Sequence, residues 1–85
     1  MRSVTIDICK TLVAIQSVTR ATIECFDGRR WVSVLRGREE FVLKSAKQNP
    51  KSYAKLESAL LEVQGLGLCH AEIDFTKWQR EQATL

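Results

Sequence analysis

The stretch that decides the fold is Ala21-Thr22-Ile23-Glu24-Cys25-Phe26-Asp27-Gly28-Arg29-Arg30-Trp31-Val32-Ser33-Val34-Leu35. Two alternating runs flank an Asp-Gly pair. A type I′ hairpin turn needs positive φ at both central residues, and Asp-Gly is among the pairs that supply it most readily. A two-residue loop pairs Phe26 with Arg29, so Ile23 lies opposite Val32 and Ala21 opposite Val34. A four-residue loop keeps the same facing, because it moves the pairing by two. Downstream, Gly37-Arg38 is read as a second tight turn that sets Phe41 against Val34 and Leu43 against Val32. The expected meander then has one inner face made of Ala21, Ile23, Cys25, Val32, Val34, Phe41 and Leu43. Its outer face is mixed: Thr22, Glu24, Phe26, Trp31, Ser33, Leu35, Glu40, Val42 and Lys44.

On the N-terminal side, Val4, Ile6 and Ile8 alternate like a strand, whereas Ile8, Leu12 and Ile15 recur like a helix face. Thr5 as N-cap and Asp7 in the first turn favour a helix over about residues 6–16. On the C-terminal side a basic connection, Ala46 to Lys51, holds the only proline, Pro50. Tyr53 to Gln64 carries a helical stripe of Tyr53, Leu56, Leu60 and Val63 flanked by Ala59, and Gly65 is expected to end it. Cys69, Ala71, Ile73 and Phe75 then alternate with His70, Glu72 and Asp74 as a fourth strand. A helical crossover makes that strand parallel to its neighbour, at either sheet edge. The tail from Thr76 is read as a last helical turn or a frayed end. The chain is therefore expected to be one α+β domain over residues 1–85, in the order α-β-β-β-α-β, with both helices on the inner face.

Composition narrows the function. The 85 residues are 45% hydrophobic and 27% charged, the balance of a globular domain and not of a disordered chain. A chain this short buries only about 60–65% of the surface its unfolded form exposes. No apolar run nears the roughly 20 residues needed to cross a bilayer, and Asp7 falls where a signal peptide would be apolar. Cys9, Cys25 and Cys69 are odd in number and far apart, unlike a disulfide scaffold or a zinc site. With a single histidine, His70, no metal and no cofactor is expected. The thiols are read as reduced and mostly buried, in a cytoplasmic protein.

No constellation points to catalysis. His70, Glu72 and Asp74 share a strand face but have no nucleophile or oxyanion loop beside them, and Cys69 is expected to point into the core. Gly65-Leu66-Gly67-Leu68 follows a helix and leads into a strand, the reverse of a phosphate-cradling loop. An enzyme is therefore not expected. Charge is more informative. The net charge is +3, but residues 20–55 carry nine basic and four acidic groups while residues 56–85 are net acidic. Arg29, Arg30, Arg36 and Arg38 at the hairpin turns, with Lys44 on the outer face, are the candidate phosphate contacts, Trp31 interleaving with them. Glu24, Glu39 and Glu40 lie among them and oppose that reading. Phe26, Trp31, Leu35 and Val42 make the outer face apolar enough to serve as an interface to a second copy or to another protein, so a homo-oligomer is expected.

Several stretches carry a family resemblance. Leu12-Val13-Ala14 followed by Ser17-Val18-Thr19-Arg20-Ala21-Thr22, then Gly28-Arg29-Arg30-Trp31-Val32-Ser33-Val34, resemble the first helix and first two strands of small ParC-like partition-associated proteins. Tyr53-Ala54-Lys55-Leu56-Glu57, Gly65-Leu66-Gly67-Leu68 and Ala71-Glu72-Ile73-Asp74 resemble their second helix and closing strand. The chain departs from that pattern at Ser45 to Ser52, where Ala46-Lys47-Gln48-Asn49-Pro50-Lys51 replaces a Gln-Arg-Gly turn. The resemblance implies an accessory protein of plasmid or mobile-element maintenance that binds DNA or a DNA-bound partner, with no known catalytic residues. The alternative is a protein-interaction module of a mobile gene cassette, dimeric through its outer sheet face.

Overall fold

The computed structural model describes residues 1–78. The chain is α+β, with the elements β1 (Arg2–Val4), α1 (Ile6–Ala14), β2 (Val18–Phe26), β3 (Arg30–Gly37), β4 (Glu40–Leu43), α2 (Leu56–Gly65) and β5 (Glu72–Asp74). The five strands form one mixed sheet in the order β1-β4-β3-β2-β5. The expected meander is its centre. β3 is antiparallel to β2 and β4, while β1 joins β4 and β5 joins β2 in parallel. Strands β1, β4, β2 and β5 therefore all run one way, and β3 alone opposes them. The two crossovers, through α1 and α2, advance across the sheet in the same direction. With the usual right hand this puts both helices on one face. The buried cluster agrees, joining Cys9 of α1 and Ala59 and Val63 of α2 to one side of the sheet.

The opening segment adds a strand that the expected order lacked, and the alternation of Val4, Ile6 and Ile8 is not that strand, since Ile6 and Ile8 lie in α1. Arg2–Val4 pairs as a strand, and Thr5 then caps a helix, its Oγ1 accepting from the Ile8 amide at 3.4 Å. The helix is shorter than expected because Gln16 turns left-handed at φ 64°. Ser17 then bonds back to the Leu12 carbonyl at 2.8 Å. Its buried stripe is Ile6, Cys9, Leu12 and Val13, while Ile8 and Ile15 are exposed. In α2 the stripe is Leu56, Ala59, Val63 and Leu66, with Leu60 turned toward solvent. Tyr53 lies before that helix and pairs with Trp31 through two backbone hydrogen bonds. Gly67, at φ 103°, takes the left-handed position after α2 that was expected of Gly65. The last part of the expected tail, 79–85, lies outside the described residues.

The register of β3 corrects the expected facing. Asp27 and Gly28 both take positive φ, as a type I′ centre requires, and the Arg29 amide reaches the Phe26 carbonyl at 3.4 Å. The ladder nevertheless resumes at Phe26↔Arg30, so Arg29 is an extra residue. Ile23 therefore faces Ser33, and Ala21 faces Leu35. The second turn also holds one more residue than expected, with Arg36 opposite Glu40 and Leu35 opposite Phe41. The two slips cancel for β4 and leave β3 inverted between its neighbours. Trp31, Ser33 and Leu35 thus face the helices, with Ala21, Ile23, Cys25, Phe41 and Leu43. Val32 and Val34 face outward.

Gly37 holds this arrangement in place. A Cβ there would stand 1.9 Å from the Ser17 carbonyl oxygen, a distance no side chain can occupy. The Arg38 amide bonds that same oxygen at 3.1 Å, and a bulge between Val18 and Arg20 brings the ladder into step. Ser33, at the centre of the helix-facing side, is 1% exposed, and its Oγ has no hydrogen-bond partner among the described residues.

Gly37→Ala is expected to cost more than about 2 kcal/mol, because the obstruction is backbone and cannot swing aside; urea unfolding of the two proteins measures it. Ser33→Ala is expected to gain about 1 kcal/mol by removing an unpaired buried hydroxyl, read as a higher midpoint in the same titration.

Candidate nucleic-acid interface

The helix-free face of the sheet has two dissimilar ends. β3 spans eight residues, so at about 3.4 Å per residue its termini stand about 24 Å apart. Arg29 and Arg30 mark one end, and Arg36 and Arg38 mark the other. The five cations singled out from the sequence therefore do not form one cluster.

At the far end Arg36 is enclosed by acids. Its guanidinium is paired with Glu40 and lies 3.5 Å from Glu24 Oε2, while Nε reaches Thr22 Oγ1 at 3.4 Å. Arg2 pairs with Glu39 at 3.2 Å beside it. Exposed pairs of this kind are worth ~0–1 kcal/mol each, but they neutralise the end of the face on which they sit. Arg38 is exposed in the turn and Arg20 stands opposite Arg36 in the ladder. This end is mixed in sign.

At the near end the cations are reinforced from a part of the sequence that reads by itself only as a connection. The segment from Lys44 to Lys55 folds back against the start of β3. The Lys51 amide bonds the Leu43 carbonyl at 2.7 Å and closes the loop on itself. Within it, Ser45 Oγ accepts from the amides of Lys47 and Gln48, and the Gln48 side chain bonds Ser52. Arg30 fastens the loop to the sheet: Nε donates to Ser52 Oγ at 2.7 Å and a terminal nitrogen to the Ser52 carbonyl at 3.1 Å. Asn49 reaches Ser3 of β1 on the other side. The result sets Arg29, Arg30, Lys44, Lys47, Lys51 and Lys55 around one end of the sheet, with Asp27, Glu57 and Glu62 as the nearby acids.

One of those acids is already engaged. Glu62 of α2 accepts from Lys51 Nζ at 2.7 Å and from the Tyr53 hydroxyl at 2.9 Å. Partial burial alone would raise its pKa. The hydrogen bonds from Lys51 and Tyr53 and the charges of Lys51 and Lys10 outweigh that and hold the carboxyl below its ordinary value. Burial, together with the bond to Glu62, pushes the Tyr53 hydroxyl well up. This carboxylate ties the basic loop to α2, so the loop is held from both the sheet side and the helix side.

The apolar half of the sequence reading is corrected here. Trp31 and Leu35, expected on the outer face, are 5% and 0% exposed and belong to the core beneath the helices. Phe26 and Val42 do lie on the helix-free face, Phe26 well exposed and Val42 half-buried. Val32 and Val34 between them are shielded by their neighbours, at 6% and 4%. Of the four expected interface residues, Phe26 and Val42 alone remain on that face. Cys69 is a further correction: the chain around it is irregular and the thiol is exposed, while Cys9 and Cys25 are buried as expected. Burial pushes the Cys9 thiol up to about 11. His70, Glu72 and Asp74 are all exposed. Among the described residues no group of three or more metal-ligating side chains converges, and no helix is long and apolar enough to cross a membrane.

No protein family, no curated protein and no solved structure matches the chain. The reading of this surface therefore rests on its own geometry.

The loop anchor carries a pH signature. Because folding lowers the Glu62 pKa, its contribution is full above the unfolded value, about 4.3, and is lost as pH falls through the folded value. Glu62→Gln is expected to be less stable than the parent by about 1–3 kcal/mol at neutral pH. The gap should close as the pH is lowered past about 4.3, in thermal melts recorded across the acid range.

Proposed function

We propose that this chain is a non-enzymatic binding module that grips the phosphate backbone of nucleic acid with the basic end of its sheet. The observation that supports the reading is the gathering of Arg29, Arg30 and Lys44 with Lys47 and Lys55, distant in sequence, by a loop bonded to both layers through Arg30 and the Lys51–Glu62 pair. Lysines on a tethered loop present charge at defined spacing, which suits a repeating row of phosphates. Arg29 supplies a fork for bidentate contact. Arg36 is engaged with carboxylates and Arg38 lies at the other end of the sheet, so neither belongs to this footprint.

The resemblance to partition-associated proteins gives this activity a natural setting, the maintenance of a mobile DNA element. An accessory protein there holds to DNA without chemistry of its own. Affinity of this kind comes chiefly from releasing counterions and is independent of base sequence.

A labelled random duplex followed by fluorescence anisotropy across a salt series tests the proposal. Binding should weaken steeply with salt, at about −0.9 per phosphate contact in a plot of log affinity against log salt. Reversing Arg29, Lys47 and Lys55 to glutamate should lower affinity at least tenfold and flatten the slope by about three, one for each reversed cation. Arg38→Glu should leave both unchanged. Absence of binding at low salt, or equal weakening in the Arg38 variant, would sink the assignment.

A further inference from the structure

The second feature that calls for a partner is the free edge of β5. This strand ends the sheet, its outer edge pairs with nothing among the described residues, and all three of its residues are exposed. Its two sides differ in chemistry. Glu72 and Asp74 stand in register with Thr22 and Glu24 and so face the helix-free side. Asp74 accepts from the Thr76 hydroxyl at 2.6 Å and from its amide at 2.9 Å, which hold its carboxyl below the ordinary value and keep it ionised. On the other side Ile73, in register with buried Ile23, is 39% exposed; past the strand Phe75 is 63% exposed, and Trp78 lies tilted against Trp31 with ring centroids 6.3 Å apart. Before the strand, a hollow lined by Leu60, Leu61, Leu68 and Ala71 together with Gln64 and His70 lies between α2 and the chain entering β5.

We propose that this edge accepts an added β-strand whose residues alternate between basic and apolar, supplied by a partner protein. Strand addition takes affinity from backbone hydrogen bonds and specificity from alternate side chains. Here the acidic side selects Lys or Arg and the Ile73 side selects apolar residues. A second copy of this chain is the wrong occupant. Two-fold pairing would be antiparallel about Ile73 and set Glu72 directly against Asp74 of the other copy, and like charges so placed repel. The acids thus guard the edge against self-association, as edge strands commonly do, while leaving it matched to a basic strand. The proposal is independent of the nucleic-acid footprint, which lies on other residues.

A fluorescein-labelled peptide of alternating lysine and valine is the probe, with an alternating glutamate and valine peptide as its opposite. The lysine peptide should bind at least tenfold more tightly, and at saturation should slow amide exchange at Glu72–Asp74 tenfold or more. Glu72→Lys, a change at an exposed site, should narrow the preference at least tenfold, and adding Asp74→Lys should reverse it. Equal binding of the two peptides, a preference unmoved by Glu72→Lys, or binding that leaves exchange at these residues unaltered would overturn the assignment. So would a dimer in light scattering whose formation protects the same amides. None of these readouts depends on whether duplex binds the basic end.

Discussion

The close approach of Gly37 to the Ser17 carbonyl is the constraint on which the rest of the structure depends. The oxygen sits where a Cβ would be and also accepts from the Arg38 amide. The end of β3 is thereby set against the start of β2, and the bulge between Val18 and Arg20 absorbs the mismatch that this approach creates. Because side chains alternate with period two, this register decides which half of β3 lies beneath the helices. It buries Trp31 and Leu35 and presents Val32 and Val34 to a face screened by charged neighbours. The larger side chains go where the helices can cover them, which is the arrangement that removes more apolar area from water.

That choice settles the character of the helix-free face. With Trp31 and Leu35 withdrawn, Phe26 and Val42 are left beside shielded valines, and charge dominates the rest. The charge is sorted along the strands. Arg36 is held between Glu24 and Glu40 at one end, whereas Arg30 at the other is bonded to a serine and has no carboxylate partner among the described residues. A guanidinium surrounded by carboxylates is a structural clasp. One hydrogen-bonded to neutral oxygens still projects a positive field. The same residue type thus serves two purposes, according to what the register places beside it.

The loop from Lys44 to Lys55 couples the layers. Arg30 holds it to the sheet through Ser52, and Glu62 holds it to α2 through Lys51 and Tyr53, whose backbone in turn pairs with Trp31. Its cations are thereby carried on a frame and not on a free tether. The acidic edge of β5 lies on the opposite flank of β2 from this loop. A module with one basic end and one acidic edge can hold two partners of opposite charge without their competing, and this is how we read its two proposed surfaces together.

Much of this was legible in the residues themselves. Thr5 and Asp7 announced α1, Asp27-Gly28 announced the hairpin, and the alternation of β2 and β4 correctly assigned Ala21, Ile23, Phe41 and Leu43 to the core. Each of these is a local property: a cap, a turn conformation, a period. The uneven charge, with its excess in residues 20–55, was equally plain. The phase of β3 was not, because Trp31-Val32-Ser33-Val34-Leu35 is apolar in both phases and one extra turn residue inverts it. Only the approach of Gly37 to Ser17, distant in sequence, chooses between them. Nor could any local rule join Lys47 and Lys55 to Arg29, part Arg36 from them, or place β5 beside β2. Those are statements about which distant segments lie together. They depend on how two helices and five strands share one buried face, and the sequence by itself leaves that open.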